Sequence, residues 1–190
     1  MTTATTRARP LTPDERRASI LRAVIPLILD QGTAVTSKQL ADAAGVAEGT
    51  VFRAFGDKET LIDAAADAVF GHGGVTDGPL PNPDAPLESK VRDLLHGMRA
   101  RVRDVMRMAA LTGRHPQPPD ESQRALLRWR LRETFGPNEH ELAVDLDDLG
   151  AYLRAIAIGT SIPAPDHHIG DDAVVALLLD GIRRRPPTEE

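Results

Sequence analysis

Cysteine is absent from the 190 residues, which excludes a disulfide framework and any zinc site built on thiolates and suits a reducing compartment. Long apolar runs are missing too. No stretch of about 18 uncharged apolar residues occurs, and the N-terminus has no apolar leader core, so neither a membrane span nor a signal peptide is expected and the protein is read as cytoplasmic. Aromatics make up only 3% of the chain, too few to outline a ligand. Period-two alternation is lacking throughout, which removes sheet architectures. The short motifs G-x-S-x-G and H-E-x-x-H are also lacking, as is a glycine loop after a strand, so the chain is expected not to be an enzyme and to need no cofactor. What remains is 41% hydrophobic and 27% charged residues, the composition of a globular protein with a real core, and without sheets the fold is expected to be all-α.

The most organised stretch is Thr36–Leu61, TSKQLADAAGVAEGTVFRAFGDKETL. Thr36 and Gln39 have capping-box spacing, and Leu40, Ala41 and Ala44 form a small apolar face. Gly45 suits a helix C-terminus, because glycine tolerates positive φ. Val46 plugs the corner, and a second helix is expected from about Ala47 to Ala54 with Val51 and Phe55 turned inward at i, i+4. Two short helices about a tight turn form a helix-turn-helix, whose second helix enters the major groove of DNA. Ser37, Lys38, Glu48, Thr50 and Arg53 leave its outward face polar.

The order Leu40, Ala41, Ala44-Gly45-Val46, Gly49-Thr50-Val51-Phe52, Phe55, Asp57-Lys58-Glu59 and Leu61 closely resembles the N-terminal domain of TetR-type transcriptional regulators, over roughly residues 12–70. The resemblance implies a double-stranded DNA operator as partner, with Lys58, Thr50 and Phe52 at backbone phosphates. Glu48, Gly49 and Arg53 are expected near base edges, and Ser37 and Lys38 complete the expected DNA-binding set. Two positions depart from the family pattern. Phe52 stands where Tyr is usual, which removes a hydroxyl, and Ala47 stands where Ser is usual, which removes an N-cap oxygen worth about 1 kcal/mol.

The net charge of −5 is unevenly spread. Residues 1–59 hold eight Lys/Arg against seven Asp/Glu, a net of +1, and residues 60–190 carry −6. Nonspecific affinity from phosphate neutralisation is therefore expected to be modest.

Along the chain, residues 1–9 with Arg7 and Arg9 read as a polar arm. Thr12, Pro13 and Glu15 start helix 1, whose apolar positions are Ile20, Val24, Leu27 and Ile28. Pro26, which has no N–H for the carbonyl of Arg22, predicts a kink. A helix that begins after Asp57, its cap, and runs to about Phe70 follows. Residues 71–86 contain four Gly and four Pro and are expected to form a long connection. His72 and the Asp residues of that loop, like the adjacent His167 and His168, are read as solvated rather than as metal ligands.

Residues 87 to about 112 show the longest helical periodicity, with Leu87, Val91, Leu94, Leu95, Met98, Val102, Val105, Met106 and Ala109 on one face and Arg92, Arg99, Arg103 and Arg107 opposite. The basic face is read as solvated, or paired with the excess carboxylates, in preference to a membrane surface. A further helix is expected from Asp120 to about Phe135, with Leu126, Leu127, Trp129 and Leu131 as its apolar residues. Residues 138–146 are either a short helix or a lead-in to a helix at 147–161, and a last helix runs from Asp171 through Ile182 to three Arg at 183–185.

The domain organisation read from this is an N-terminal three-helix DNA-binding domain at 1–58 and a C-terminal helical domain at 59–190. The resemblance implies that the second domain binds a small molecule and that its last two helices build a dimeric four-helix bundle. Leu149, Leu153, Ile156, Leu178 and Ile182 are the candidate dimer contacts. Met98, Val102, Met106, Trp129 and Tyr152 are the candidate lining for an apolar or amphipathic effector. The expected function is a repressor that binds a palindromic operator as a homodimer and is released by that effector. The competing class is a helical enzyme or carrier that keeps only a vestigial head.

Overall fold

A computed structural model of the chain describes residues 11–71, 80–162 and 169–183. Every regular element among them is helical: α1 (Pro13–Gln31), α2 (Ser37–Ala44), α3 (Glu48–Phe55), α4 (Lys58–Gly71), α5 (Leu87–Thr112), α6 (Glu121–Phe135), α7 (Leu146–Ser161) and α8 (Asp171–Ile182), with a 3-10 segment at Gly136–Glu141. The helices form two compact units. The first comprises the chain up to Val69 together with Met108–Arg114, and the second Phe70–Arg107 and everything from His115 on.

In the first unit α1 opens on a capping box. The Glu15 amide donates to Thr12 Oγ1 at 3.2 Å, and the Thr12 amide donates to Glu15 Oε2 at 2.7 Å. That satisfies two amides the helix itself leaves orphaned. The helix continues through Pro26 to Gly32. Ile20, Val24 and Ile28 are buried on its inner side and join Leu40, Val51, Phe55, Leu61 and Ala65 in the core. Met108, at the end of α5, is fully buried as well, and Arg114 pairs with Asp63 and Asp67 of α4.

The second unit is built on one apolar cluster: Leu87, Val91, Leu95 and Met98 of α5, Leu131 and Phe135 of α6, Leu149 and Leu153 of α7, and Val174, Val175, Leu178, Leu179 and Ile182 of α8 are its main members. The approach of α6 to α7 is close. A Cβ on Gly150 would lie 2.5 Å from Leu131 Cδ1, so a larger residue there would force Leu131 to move. The ambiguous stretch before α7 resolves into the 3-10 segment and a short extended piece. There the Ala143 amide donates to the Ile182 carbonyl at 2.7 Å, and Asp145 caps α7 through the amide of Asp148 at 2.7 Å.

Several expectations about which side chains face inward are corrected. Arg99 is not on a solvated face. It is buried, pairs with Asp171 and donates to the Thr160 carbonyl at 3.0 Å, because α8 begins directly over that part of α5. Arg92 stays partly exposed and pairs with the carboxylates of Glu88 and Asp172, as expected of that face. Met106 is exposed, and the buried methionine near the end of α5 is Met108. In α6 the inner face is Leu127, Leu131, Thr134 and Phe135, so Leu126 and Trp129 fall on the outer side. Lys90, which periodicity did not single out, is fully buried. Its ammonium donates to Asn138 Oδ1 at 2.6 Å and to the Pro83 carbonyl, and Asn138 in turn donates to Glu141 at 2.6 Å.

Candidate nucleic-acid interface and apolar groove

The helix-turn-helix is set by three local devices. Thr36 and Gln39 form the second capping box, with the Gln39 amide 3.2 Å from Thr36 Oγ1 and the Thr36 amide 2.8 Å from Gln39 Oε1. Gly45 takes the left-handed conformation at φ 64° and ψ 30°, which costs a residue with a Cβ about 1–2 kcal/mol. Its neighbour Val46 donates to the Ala41 carbonyl at 3.1 Å, satisfying one of the last α2 carbonyls. The chain is thereby turned so that α3 starts at once. Ala47 is its N-cap, in extended geometry and with no side-chain cap bond, as the missing oxygen implies.

Val51 and Phe55 anchor α3 in the core. Arg17 of α1 fixes its far end, donating to the Ala54 carbonyl and laying its guanidinium 4.6 Å from the centroid of the Phe55 ring. The opposite face is thereby presented outward: Glu48, Gly49 and Arg53 are exposed, and so is Phe52, at 42% of its surface. Lys38 on α2 is also exposed, whereas Ser37 and Thr50 are half-buried. A row of this width on a two-turn helix suits a groove that admits a single helix.

Lys58 is placed differently from its neighbours. Its ammonium donates to the carbonyls of Thr33 and Val35, both at 3.2 Å, from a half-buried position. The preceding Asp57 caps α4, accepting from the Thr60 amide at 2.7 Å, and that backbone bond holds its carboxyl below the ordinary range. Two of the three Lys58 donors are therefore engaged with backbone oxygens, and among the described residues the third has no partner and is left for an anion.

In the second unit α7 and α8 leave an open apolar groove of about 360 Å³, lined by Tyr152, Ile156, Leu177, Leu178 and Ile182 among others. Of the five expected dimer contacts, Leu149 and Leu153 are fully buried within this chain, and Leu178 and Ile182 are largely so. The first two are corrected to core residues, because their side of α7 faces α5 and α6. What these two helices expose instead is Tyr152, Ile158 and Leu177, the last at 69%. The five expected effector-lining residues do not come together. Met98 belongs to the core, Val102 is half-buried, Met106 and Trp129 are exposed, and only Tyr152 lines the groove. The loop histidines His72, His167 and His168 and the arm residues Arg7 and Arg9 lie outside the described residues, as do Arg184 and Arg185.

Residues 20–65 match the family model described as bacterial regulatory proteins, tetR family. Among solved structures, a TetR transcriptional regulator from Streptomyces coelicolor superposes with a TM-score of 0.56 at 24% identity, covering 88% of this chain and 98% of its own. A Rhodococcus sp. protein whose name places it in the same family superposes with a TM-score of 0.52 at 18% identity, covering 88% of this chain and 96% of its own. At these identities the likeness shows the fold. No curated protein sequence matches the chain.

Proposed function

We propose, from the match of residues 20–65 to the tetR family of bacterial regulatory proteins, that this chain is a DNA-binding transcriptional regulator, a cytoplasmic repressor that holds a palindromic operator as a homodimer and lets go when a small apolar or amphipathic molecule binds. The observation that carries the reading is the outward row Glu48, Gly49, Phe52 and Arg53 on α3, held rigid from behind by Val51, Phe55 and Arg17. Side chains that reach base edges need such a backing, since specificity depends on geometry. Thr50, Lys38, Ser37 and the remaining Lys58 donor flank the row and suit phosphates, which fix register without reading sequence.

The homodimer rests on the α7–α8 groove. An apolar trough bordered by Leu177 and Tyr152 is a surface that water covers poorly. A two-fold partner offering the same two helices would cover it isologously. Each partner of such a pair brings one copy of α3, and successive major grooves demand about 34 Å between the two. An effector that binds one arrangement of the heads better than the other shifts the population away from that spacing. A coupling of about 1–3 kcal/mol lowers operator affinity five- to 150-fold.

The test is a gel-shift of the full chain on palindromic duplexes selected from a random pool, repeated across a library of apolar metabolites. Retarded duplex that is released by one compound supports the whole reading. Retardation that no compound relieves removes the effector half of it, and turnover or ligand binding with no retarded duplex at all replaces the reading with a helical enzyme or carrier.

A further inference from the structure

The recognition face holds one residue that its polar neighbours do not explain. Phe52 exposes 42% of its surface beside the charged Glu48 and Arg53, where an apolar ring gains nothing in water. One turn earlier Gly49 leaves the helix surface bare, and a Cβ built there would meet no atom within 4 Å. Helical side chains lean toward the N-terminus, over the preceding turn. The Phe52 ring therefore lies on the side of α3 where the helix is thinnest and its surroundings can approach most closely.

A phenyl ring has no hydrogen-bond donor to offer a phosphate, and its negative face repels one. In the major groove the base edges present donors and acceptors, with a single apolar group among them, the C5-methyl of thymine. We propose that Phe52 is a specificity-determining residue that packs on a thymine methyl, fixing one thymine in each operator half-site. The inference rests on the DNA-reading function above and adds a base identity to it. It also gives Phe52 a different role from a backbone-phosphate contact, since a methyl contact distinguishes T from C and from the purines whereas a phosphate contact distinguishes none.

The test uses the duplex selected with the full-length protein and replaces its thymines one at a time by uracil, which removes only the C5-methyl. Wild-type protein is expected to lose about fourfold in affinity per half-site at one thymine position, the value of one buried methyl-sized group, and to be indifferent at the others. Phe52→Ala, at an exposed position, is expected to fold with an unchanged melting temperature, to bind more weakly, and to bind the thymine and uracil duplexes equally. Phe52→Leu, which keeps an apolar contact, is expected to restore part of the discrimination. Binding with no uracil-sensitive position, or a Phe52→Ala variant that keeps the wild-type sensitivity, overturns this inference and leaves the DNA-reading function standing. Failure of any duplex to be enriched overturns both.

Discussion

The Lys58 ammonium lies 3.2 Å from the carbonyl oxygen of Val35 and spans the same distance to that of Thr33, so the first residue of α4 ties that helix to the loop between α1 and α2. Charged hydrogen bonds contribute about 1.5–3 kcal/mol each in buried settings, and less where water can substitute. Lys58→Ala is expected to cost about 1–2 kcal/mol in urea denaturation. It is also expected to weaken every duplex alike and to flatten the salt slope by about one unit. Arg53→Ala makes the contrasting case, with stability unchanged and discrimination at one base position relaxed by about 1–3 kcal/mol. A Lys58→Ala variant that altered sequence preference at constant salt slope would reverse the two assignments.

Ala47 occupies an N-cap with extended backbone, φ −67° and ψ 145°, the geometry in which a serine hydroxyl accepts from the third helical amide. Ala47→Ser is expected to stabilise the protein by about 0.5–2 kcal/mol, read as a higher urea midpoint at unchanged slope. An unchanged midpoint would mean that water already caps α3 as well as a hydroxyl does.

Leu177 and Leu178 are adjacent in α8 and both border the groove, but the first is exposed and the second buried. Leu177→Arg is therefore expected to leave helicity and melting of the isolated chain intact while converting a dimeric mass to a monomeric one by light scattering. Leu178→Ala is expected to cost about 2–5 kcal/mol of stability. Retention of the dimer by Leu177→Arg would move the interface away from the groove.

Asp171 receives Arg99 and His96 at the start of α8, and the bond from His96, followed by the charge of Arg99, lowers its carboxyl from the ordinary 3.8. A carboxyl depressed by folding contributes stability that is fully present above its unfolded value and is lost as pH falls through the folded one. Asp171→Asn is accordingly expected to be less stable than wild type at neutral pH, with the gap closing below about pH 4. Denaturation midpoints at pH 7, 5 and 3 check it, and a gap that stayed constant would show that packing rather than charge is lost.

The first unit was legible because each of its devices is local. The two capping boxes, the glycine at 45 and the i, i+4 pair Val51 and Phe55 are written within a few residues of one another, and the structure realises each one. The second unit was legible as helices but less so as faces. α7 and α8 carry apolar residues on more than one side, so spacing could not decide whether Leu149 or Tyr152 faces the chain's own core. Arg99 and Lys90 escaped for a related reason. Their burial depends on Asp171, some seventy residues on, and on Asn138, nearly fifty residues on, and a window of helical length contains neither partner. The same limit moved Leu126 and Trp129 from the expected inner face of α6 to its outer one.

Met108 is fully buried in the first unit, and in the same unit Leu111 approaches Gly32 so closely that a Cβ there would touch it at 3.4 Å. Neither unit is thus a single stretch of chain. No one cut releases the DNA-reading head whole: a fragment ending with α4 would carry the helix-turn-helix but leave an open socket where Met108 sits and two carboxylates without Arg114. For recombination and gene fusion this makes the head a poor cassette. A head grafted onto a foreign sensor would have to bring the segment 108–114 with it, the far end of a helix that begins at Leu87 in the other unit.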